Sequence, residues 1–175
     1  MIFEKPVLSL AKLNTCTVEE FTDLLGDVFE NASFLVRRAA GARPFADLSA
    51  LHQAMMLQVD ALPEAEVVAF LSGHPELAGV EAREGTMTAH STAEQGRLNL
   101  GGLPDDEAER WRALNERYRL RFGFPFIVRI AEHDYVSLQN TFMQRLTNDR
   151  DQELRLALSE IAKISRHRLA MRLRD

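Results

Sequence analysis

The sequence has little cysteine and no long apolar run, and each shortage excludes a class of protein. Its 175 residues include a single cysteine, Cys16, which excludes an internal disulfide and a cysteine-ligated metal cluster. No apolar stretch approaches the roughly 20 residues that a helix needs to cross a bilayer. The N-terminus lacks the basic and apolar regions of a signal peptide. We therefore expect a cytoplasmic protein with no membrane partner.

An excess of positive charge is also missing. Lysine and arginine number 21 against 26 aspartates and glutamates, which gives a net charge of −5. Because phosphate binding calls for a basic surface, we expect no nucleic-acid partner. The basic residues gathered in residues 163–174 fit a solvated helix face, with positive charge at the negative end of a helix dipole.

Motifs for metal, nucleophile and phosphate chemistry are absent as well. The five histidines include no pair at i and i+4 and no H-E-x-x-H motif, so a zinc site has little support. No G-x-S-x-G motif occurs, and Gly101-Gly102 lacks the lysine that follows a phosphate-binding loop. These absences leave a zinc site and a phosphate-binding loop without support in the sequence.

What the sequence does have is helical periodicity along most of its length. Thr17 and Glu20 stand three apart, as in a capping box, and a final helix is predicted over residues 150–172. Apolar residues make up 46% and charged residues 27%, as in ordinary globular proteins. We predict an all-α fold, a single compact multi-helix domain over residues 1–175 with a long C-terminal helix.

Two segments interrupt this helical pattern. Residues 79–91 are rich in glycine and threonine, which predicts a loop, followed by a short helix that Ser91 caps. Residues 124–128 form a continuous apolar run whose length fits a strand, a buried turn or a short helix. Pro125 argues against a central strand.

His74 stands where a helical pattern stops and is followed by Pro75. Proline restricts the residue before it to an extended backbone, which places His74 at a helix end. Imidazole exchanges protons near neutral pH, so His74 is a candidate general acid or base. The alternative is a polar residue that ends the helix and faces solvent.

Glu94 lies early in the short helix that begins near Ser91. A carboxylate beside His74 would orient the imidazole. The alternative is a capping-box glutamate that reaches back to the Ser91 amide, because the two residues are three apart.

Arg168 shares a helical stripe with apolar residues of the final helix. Leu154, Leu158, Ile161, Ser165 and Arg168 follow one another at spacings of 4, 3, 4 and 3. At about 100° per residue they stay within a sector of roughly 80°, the face expected to point inward. A core-facing arginine has to be paired or bind an anion, unless its long stem carries the charge out to solvent.

These residues belong to an ordered set of short motifs that covers almost the full chain. The chain resembles the 2-oxo-4-hydroxy-4-carboxy-5-ureidoimidazoline (OHCU) decarboxylases of the urate-to-allantoin pathway. The matching motifs are Phe29-Glu30, Arg43-Pro44-Phe45, His74-Pro75-Glu76-Leu77-Ala78, Ser91 with Glu94-Gln95, Leu114-Asn115 with Tyr118, Phe122-Gly123-Phe124-Pro125-Phe126-Ile127-Val128, Arg145-Leu146, and Glu160-Ile161 through Arg168-Leu169.

The resemblance implies cofactor-independent decarboxylation of OHCU to (S)-allantoin. It implies that the catalytic residues are His74, Glu94 and Arg168, and that no metal takes part. The substrate-binding residues that it implies are Pro75, Ser91, Gln95, Phe124, Phe126, Ile127 and Val128. Residues 96–103 are longer than the corresponding family segment, so the resemblance does not define the shape of the site's rim. A homodimer is a further possibility that the sequence does not decide.

Two other functions stay open at this point. One is a non-catalytic helical module that binds a ureide or assembles with an enzyme of the urate pathway. The other is a lyase or hydrolase that acts on a related ureide.

Overall fold

The computed structural model describes residues 7–174, which fold as α-helices joined by short 3₁₀ turns and loops. No β-strand occurs among them, and a single isolated bridge joins Leu8 to Leu173. The prediction of an all-α fold is confirmed. The helices of the described residues are α1 Leu10–Thr15, α2 Val18–Leu25, α3 Ser33–Ala39, α4 Leu48–Asp60, α5 Glu64–Ser72, α6 Val80–Glu84, α7 Ala89–Gly96, α8 Asp105–Phe122, α9 Tyr135–Arg145 and α10 Arg150–Arg172; the 3₁₀ turns are Ala40–Ala42, Leu100–Gly102 and Ile130–Glu132.

The long C-terminal helix is also confirmed, with the bounds expected from the sequence. The described chain divides into two compact units, and α5 and α10 each contribute to both. The first unit runs up to Val67 and resumes at Ala162, and the second unit is Val68–Ile161. A single domain over residues 1–175 stays a prediction.

The first unit contains α1 to α4, and its N-terminal helices begin with well-formed caps. At the start of α2, the Thr17 hydroxyl accepts from the Glu20 amide at 3.1 Å, and the Glu20 carboxylate accepts from the Thr17 amide at 2.9 Å. The capping box predicted from the sequence is therefore confirmed. It satisfies two of the backbone groups that the first turn of a helix leaves without partners.

The corner between α3 and α4 is held by a side chain. Arg43 donates from Nε to the Ala40 carbonyl at 2.8 Å and from Nη1 to the Cys16 carbonyl at 2.6 Å. Its guanidinium also lies over the Phe21 ring, 5.4 Å from the ring centroid. Arg43 thus ties the end of α1 and the core side of α2 to this corner.

The second unit is organised around a cluster of aromatic side chains on α8, α9 and the segment between them. Tyr118 is fully buried, and its ring centroid lies 5.4 Å from that of Phe126 and 5.6 Å from that of Phe142. The edge-to-face angles of 80° and 74° are those that aromatic pairs prefer. This cluster fixes the position of residues 124–128 relative to α8 and α9.

The loop predicted for residues 79–91 is wrong in part. It contains the five-residue helix α6, which ends at Gly85 with φ of 70°. Helix α7 then begins before Ser91, because Thr88 is its N-cap and accepts from the Ser91 amide at 3.4 Å. Helices this short and polar have no apolar stripe, so hydrophobic periodicity misses them.

The ambiguous run at residues 124–128 is neither strand nor helix. It is an irregular segment after α8, and all five of its residues are buried. Gly123, in a left-handed conformation with φ of 86°, ends α8 and turns the chain into this segment.

Replacing Thr17 with alanine tests the confirmed cap. We expect Thr17→Ala to lower the free energy of unfolding by about 1 kcal/mol, because it leaves the Glu20 amide without its acceptor. Denaturant unfolding measures the change. The matched control is Thr22→Ala in the same helix, whose hydroxyl bonds only the Val18 carbonyl and should change stability by less than about 0.5 kcal/mol. Equal effects of the two changes would show that the cap contributes nothing special.

Candidate active site

His74 lies just beyond the end of α5 and is half-buried. Its backbone amide donates to the Leu71 carbonyl at 3.1 Å. Its ring nitrogen Nδ1 lies 3.2 Å from the carbonyl oxygens of both Phe70 and Leu71. The ring stands edge-on to Phe70, with 5.4 Å between centroids. The helix end predicted for His74 is confirmed, and the imidazole is held there from two sides.

These contacts determine which ring nitrogen carries the proton in the neutral imidazole. Carbonyl oxygens only accept hydrogen bonds, so Nδ1 must be the donor toward Phe70 and Leu71. The neutral ring then has its acceptor lone pair on Nε2. The acceptor side of the ring is therefore Nε2, while Nδ1 is a further donor to two carbonyls that also accept from the Gly73 and His74 amides. A role of His74 as a base stays a prediction.

The loop that follows His74 is held by two amide side chains. Gln95 on α7 accepts from the Ala78 amide at 3.0 Å and donates to the Glu76 carbonyl at 3.1 Å. Asn115 on α8 donates to the Leu77 carbonyl at 2.9 Å. Ala78 has a φ of 52°, a left-handed conformation that costs a non-glycine residue about 1–2 kcal/mol. Such a conformation persists only where surrounding contacts hold it, and these amides supply them.

Helix α7 carries three of the predicted site residues, and one of them, Gln95, contacts this loop. Gln95 is 2% exposed, and both its amide oxygen and its amide nitrogen hydrogen-bond to the loop. Ser91, on the same helix, is also buried. Glu94 is half-buried. Because Thr88 caps α7, the capping-box explanation of Glu94 is wrong. The roles of Ser91, Glu94 and Gln95 toward a substrate stay predictions.

A cavity of about 360 Å³ opens beside His74. Pro125, the second residue of the segment 124–128, lines it together with His74 and Glu76. Glu76 is half-buried, and its Oε1 lies 3.1 Å from Nη1 of Arg119. Burial raises the pKa of the Glu76 carboxyl above its usual value, and Arg119 opposes the shift. The cavity therefore combines an imidazole with a carboxyl group and a guanidinium.

The segment 124–128, expected to form an apolar wall, is anchored at its far end. The Ile127 carbonyl accepts from Nη1 of Arg145 at 2.6 Å, and the amide of Arg129 donates to Oε2 of Glu160 at 2.7 Å. The side chains of Phe124 and Phe126 belong to the aromatic cluster around Tyr118. The far end of this segment is thus fixed within the second unit, and its role as an apolar wall toward a substrate stays a prediction.

Arg168 lies in the first unit and is buried, with 2% of its surface exposed. Its Nη1 donates to Oε2 of Glu30 at 3.1 Å and to the Val28 carbonyl at 3.3 Å. Glu30 is itself only 3% exposed. The inward orientation predicted for Arg168 is confirmed. The alternative, in which the long side chain carries its guanidinium out to solvent, is wrong. Its pairing requirement is met by a carboxylate of the protein, so binding of a substrate anion stays a prediction.

The N-terminal half of α10 faces inward one residue earlier than the predicted stripe. Glu153 and Ala157 are fully buried, whereas Leu154 and Leu158 are half-buried. The predicted inward face is therefore correct from Ile161 onward. Before Ile161 the inward face is shifted by one residue, because two glutamates occupy inward positions. The hydrophobic pattern points to the wrong face where the buried residues are charged.

Comparison with known proteins identifies the family. A family model described as OHCU decarboxylase matches residues 14–170. The chain belongs to the OHCU decarboxylase family. It is 37% identical over 167 residues, 95% of this chain and 96% of the relative, to a putative 2-oxo-4-hydroxy-4-carboxy-5-ureidoimidazoline decarboxylase of Homo sapiens. It is 35% identical over 162 residues, 93% of this chain and 91% of the relative, to a decarboxylase of the same name from Mus musculus.

Some relatives of this OHCU decarboxylase family member are longer than the chain. It is 35% identical to the uric acid degradation bifunctional protein PucL of Bacillus subtilis (strain 168), covering 94% of this chain and 32% of that protein. A crystal structure of (S)-allantoin synthase superposes with a TM-score of 0.73 at 21% identity, over 95% of this chain. The chain spans 54% of the length of that structure's chain. At this identity the likeness shows the shared fold.

A second solved structure is of similar length to the chain. A crystal structure of OHCU decarboxylase in the presence of (S)-allantoin gives a TM-score of 0.60 at 18% identity. The match covers 87% of this chain and 95% of that one. It too shows the fold of the family.

Several buried polar residues of this family member were not singled out from the sequence as site residues. They are Glu30, which pairs with Arg168, and the set formed by Arg145, Glu153 and Glu160. A signal does exist for the last two, because Glu153, Ala157 and Glu160 are spaced by 4 and 3 on α10. Acidic residues at helical spacing are usually a solvated face, so the signal is not specific.

Across residues 7–174, the side chains of histidine, cysteine, aspartate and glutamate form no group of three or more that could hold a metal ion. Among the helices of the same residues, none is long and apolar enough to span a membrane.

The two hydrogen bonds of the Gln95 amide to the loop after His74, here called the clamp, can be tested by replacing Gln95. We expect Gln95→Leu to lower the free energy of unfolding by about 2–3 kcal/mol, because the Ala78 amide and the Glu76 carbonyl lose their partners. The matched control is Gln139→Leu on α9, whose amide makes a long 3.3 Å bond to the Tyr135 hydroxyl. Denaturant unfolding measures both, and hydrogen exchange of the Ala78 amide should accelerate only in Gln95→Leu. If Gln139→Leu is as destabilising, or Ala78 exchange is unchanged, the clamp is not what holds the loop.

Proposed function

We propose that this chain is an OHCU decarboxylase, a carboxy-lyase that converts OHCU to (S)-allantoin and carbon dioxide without a cofactor. Membership of the family supports the reaction class. The observation that carries the assignment of the catalytic residue is the geometry of His74, whose Nδ1 is held on the last carbonyls of α5. A base oriented in this way is what the reaction needs.

The substrate supplies its own electron sink. The bond between the ring and the carboxylate carbon breaks, and its electron pair moves into the neighbouring C=N system. The ring nitrogen that receives the displaced C=N electron pair takes up a proton from solvent. The hydroxyl oxygen loses its proton and becomes the ring carbonyl, and the adjacent carbon gains a proton and becomes the stereocentre of allantoin. The enzyme therefore has to orient the carboxylate, accept and return protons, and protonate a single face.

In this proposal His74 is the acid/base at the substrate hydroxyl and the reacting carbon, acting through Nε2. Glu94 orients His74 or accepts hydrogen bonds from ring and ureido N–H groups. Arg168 binds a carboxylate or carbonyl oxygen, for which the planar fork of a guanidinium is suited. A general acid or base of this kind typically contributes about 10²–10⁴-fold to the rate.

The remaining predicted residues shape the pocket in this proposal. The apolar wall of Phe124, Phe126, Ile127 and Val128 excludes water and weakens solvation of the leaving carboxylate. Pro75 fixes His74, and Ser91 and Gln95 lie on the helix that carries Glu94. Pro125 supports an arrangement in which wall and base adjoin, because it lines the same cavity as His74.

The proposal includes a cytoplasmic location and a small-molecule substrate, and it leaves a homodimer open. The rivals are a non-catalytic ureide-binding or assembly module and an enzyme for a related ureide. Both predict that the protein leaves the slow, racemic decay of OHCU unaffected. The His74 geometry favours the enzyme, because a module would not require an imidazole with a defined tautomer.

The test of function is conversion of freshly made OHCU. Urate oxidase and a hydroxyisourate hydrolase generate the substrate in the cuvette, and circular dichroism follows the appearance of chiral product. We expect fast formation of (S)-allantoin with the wild-type protein. We expect His74→Asn to lower kcat/KM by about 10²–10⁴-fold, since the asparagine amide can still donate to the carbonyls of α5 but cannot exchange protons.

The histidine test includes its own control for folding. His133→Asn replaces a half-buried histidine of the same unit, whose Nδ1 lies 3.3 Å from the Ser137 hydroxyl, and should retain wild-type activity. Wild-type rates in His74→Asn would overturn the role of His74. Slow, racemic product with the wild-type protein would overturn the proposed function itself.

Arg168 needs a paired substitution, because Glu30 would be left as a buried, uncompensated charge in Arg168→Met. We expect that single change to lower the free energy of unfolding by about 3–5 kcal/mol. The double variant Arg168→Met/Glu30→Gln removes both charges and should recover most of that stability, measured by denaturant unfolding. If Arg168 binds substrate, kcat/KM of the double variant stays low. Recovery of stability together with wild-type kcat/KM would assign Arg168 a purely structural role.

A further inference from the structure

The segment 124–128 is buried but irregular, so its backbone conformation is determined by side chains around it. Two of these side chains are ionic. Arg145 donates to the Ile127 carbonyl at 2.6 Å, and Glu160 accepts from the Arg129 amide at 2.7 Å. These two contacts hold the chain at both sides of Val128.

Arg145 is in turn held by Glu153. Its Nη2 and Nε lie 2.9 and 3.0 Å from Oε2 of that carboxylate, and Asn148 donates to the other oxygen at 2.8 Å. The Tyr118 hydroxyl also donates to Oε2 of Glu153. Burial raises the pKa of Tyr118 above its usual value, which keeps this phenol protonated as a donor. The guanidinium of Arg145 additionally lies over the Phe126 ring, 4.5 Å from its centroid.

Both anchors therefore derive from one helix. Glu153 and Glu160 are seven residues apart on α10, two helical turns on the same face, and both are buried. Glu160 bonds the Arg129 amide directly, and Glu153 acts through Arg145, which bonds the Ile127 carbonyl. Both contacts that fix residues 127–129 therefore depend on a single continuous helix. Helices hold side chains more precisely than loops do.

Stability alone is a weak reason for such a network. A buried ion pair contributes little net stability, and well-packed apolar residues in its place are often neutral or stabilising. What the network does provide is a single backbone conformation for a segment that has no regular hydrogen-bond ladder of its own. The network contacts the end of the segment predicted to form the apolar wall, so a single backbone conformation there would keep the wall in one position.

We propose that Arg145, Glu153 and Glu160 are positioning residues, which set the orientation of the bound ureidoimidazoline by fixing the backbone at the C-terminal end of the segment 124–128. This inference rests on the proposed function. The wall determines how the ring lies against His74, and hence which face of the reacting carbon is protonated. A displacement of about 1 Å in a positioning element can lower the rate by about 10²-fold.

The direct test is the pair Glu160→Gln and Glu160→Ala. Glutamine keeps an acceptor oxygen for the Arg129 amide, and alanine does not. We expect kcat to fall about tenfold in Glu160→Ala, the excess of (S)-allantoin to decrease, and Glu160→Gln to restore most of both. Circular dichroism and chiral chromatography of the product give the readouts. Wild-type kcat and product chirality in a folded Glu160→Ala would overturn the proposal.

The two tyrosines of the chain provide a matched pair in case Glu160→Ala does not fold. Tyr118 donates to Glu153 in the network that anchors residues 127–129. Tyr135 donates to Glu107, at 2.6 Å, and is not part of that network. We expect Tyr118→Phe to lower kcat about threefold with measurable loss of product chirality, and Tyr135→Phe to change neither. Equal behaviour of the two variants would also overturn the proposal. A wild-type chain that does not convert OHCU is a separate result, because it refutes the proposed function before any variant is compared.

Discussion

A charge taken out of water has to be neutralised where it lies, and this constraint shapes each unit of the protein. In the first unit Arg168 is buried against Glu30, and in the second unit Arg145 is buried against Glu153. Each arginine also donates to a backbone carbonyl, so each ion pair fixes a piece of chain as well as a charge. Because the geometry of such pairs is strict, the segments beside them inherit a single conformation.

The end of α5 and the loop after His74 are held by neutral hydrogen-bonding groups, next to the Glu76–Arg119 ion pair of the cavity. The imidazole adds a donor to the carbonyls at the end of α5, and the amide of Gln95 bonds both to the left-handed Ala78 and to Glu76 in the loop that follows. The same contacts that complete the local hydrogen bonding also choose the tautomer of the ring. Local folding and the choice of tautomer are therefore one arrangement in this part of the second unit.

Much of the fold was predictable because it depends on local signals. The capping box at Thr17 and the bounds of α10 follow from residues close in sequence. The short helix α6 was missed because five largely polar residues carry no apolar periodicity. Of the site, the position of His74 and the burial of Arg168 could be predicted, whereas the partner Glu30 could not. That pairing joins residues 138 positions apart, which no local pattern reports.

The single tryptophan of the chain gives the second unit its own optical signal. Trp111 is fully buried, and its indole donates to the Tyr135 hydroxyl at 3.0 Å within an aromatic environment. Its emission therefore reports on Val68–Ile161 alone, whereas far-ultraviolet dichroism sums the helices of both units. Recording the two signals during one melt separates the unfolding of the units: coincident curves mean one cooperative block, and displaced curves mean two.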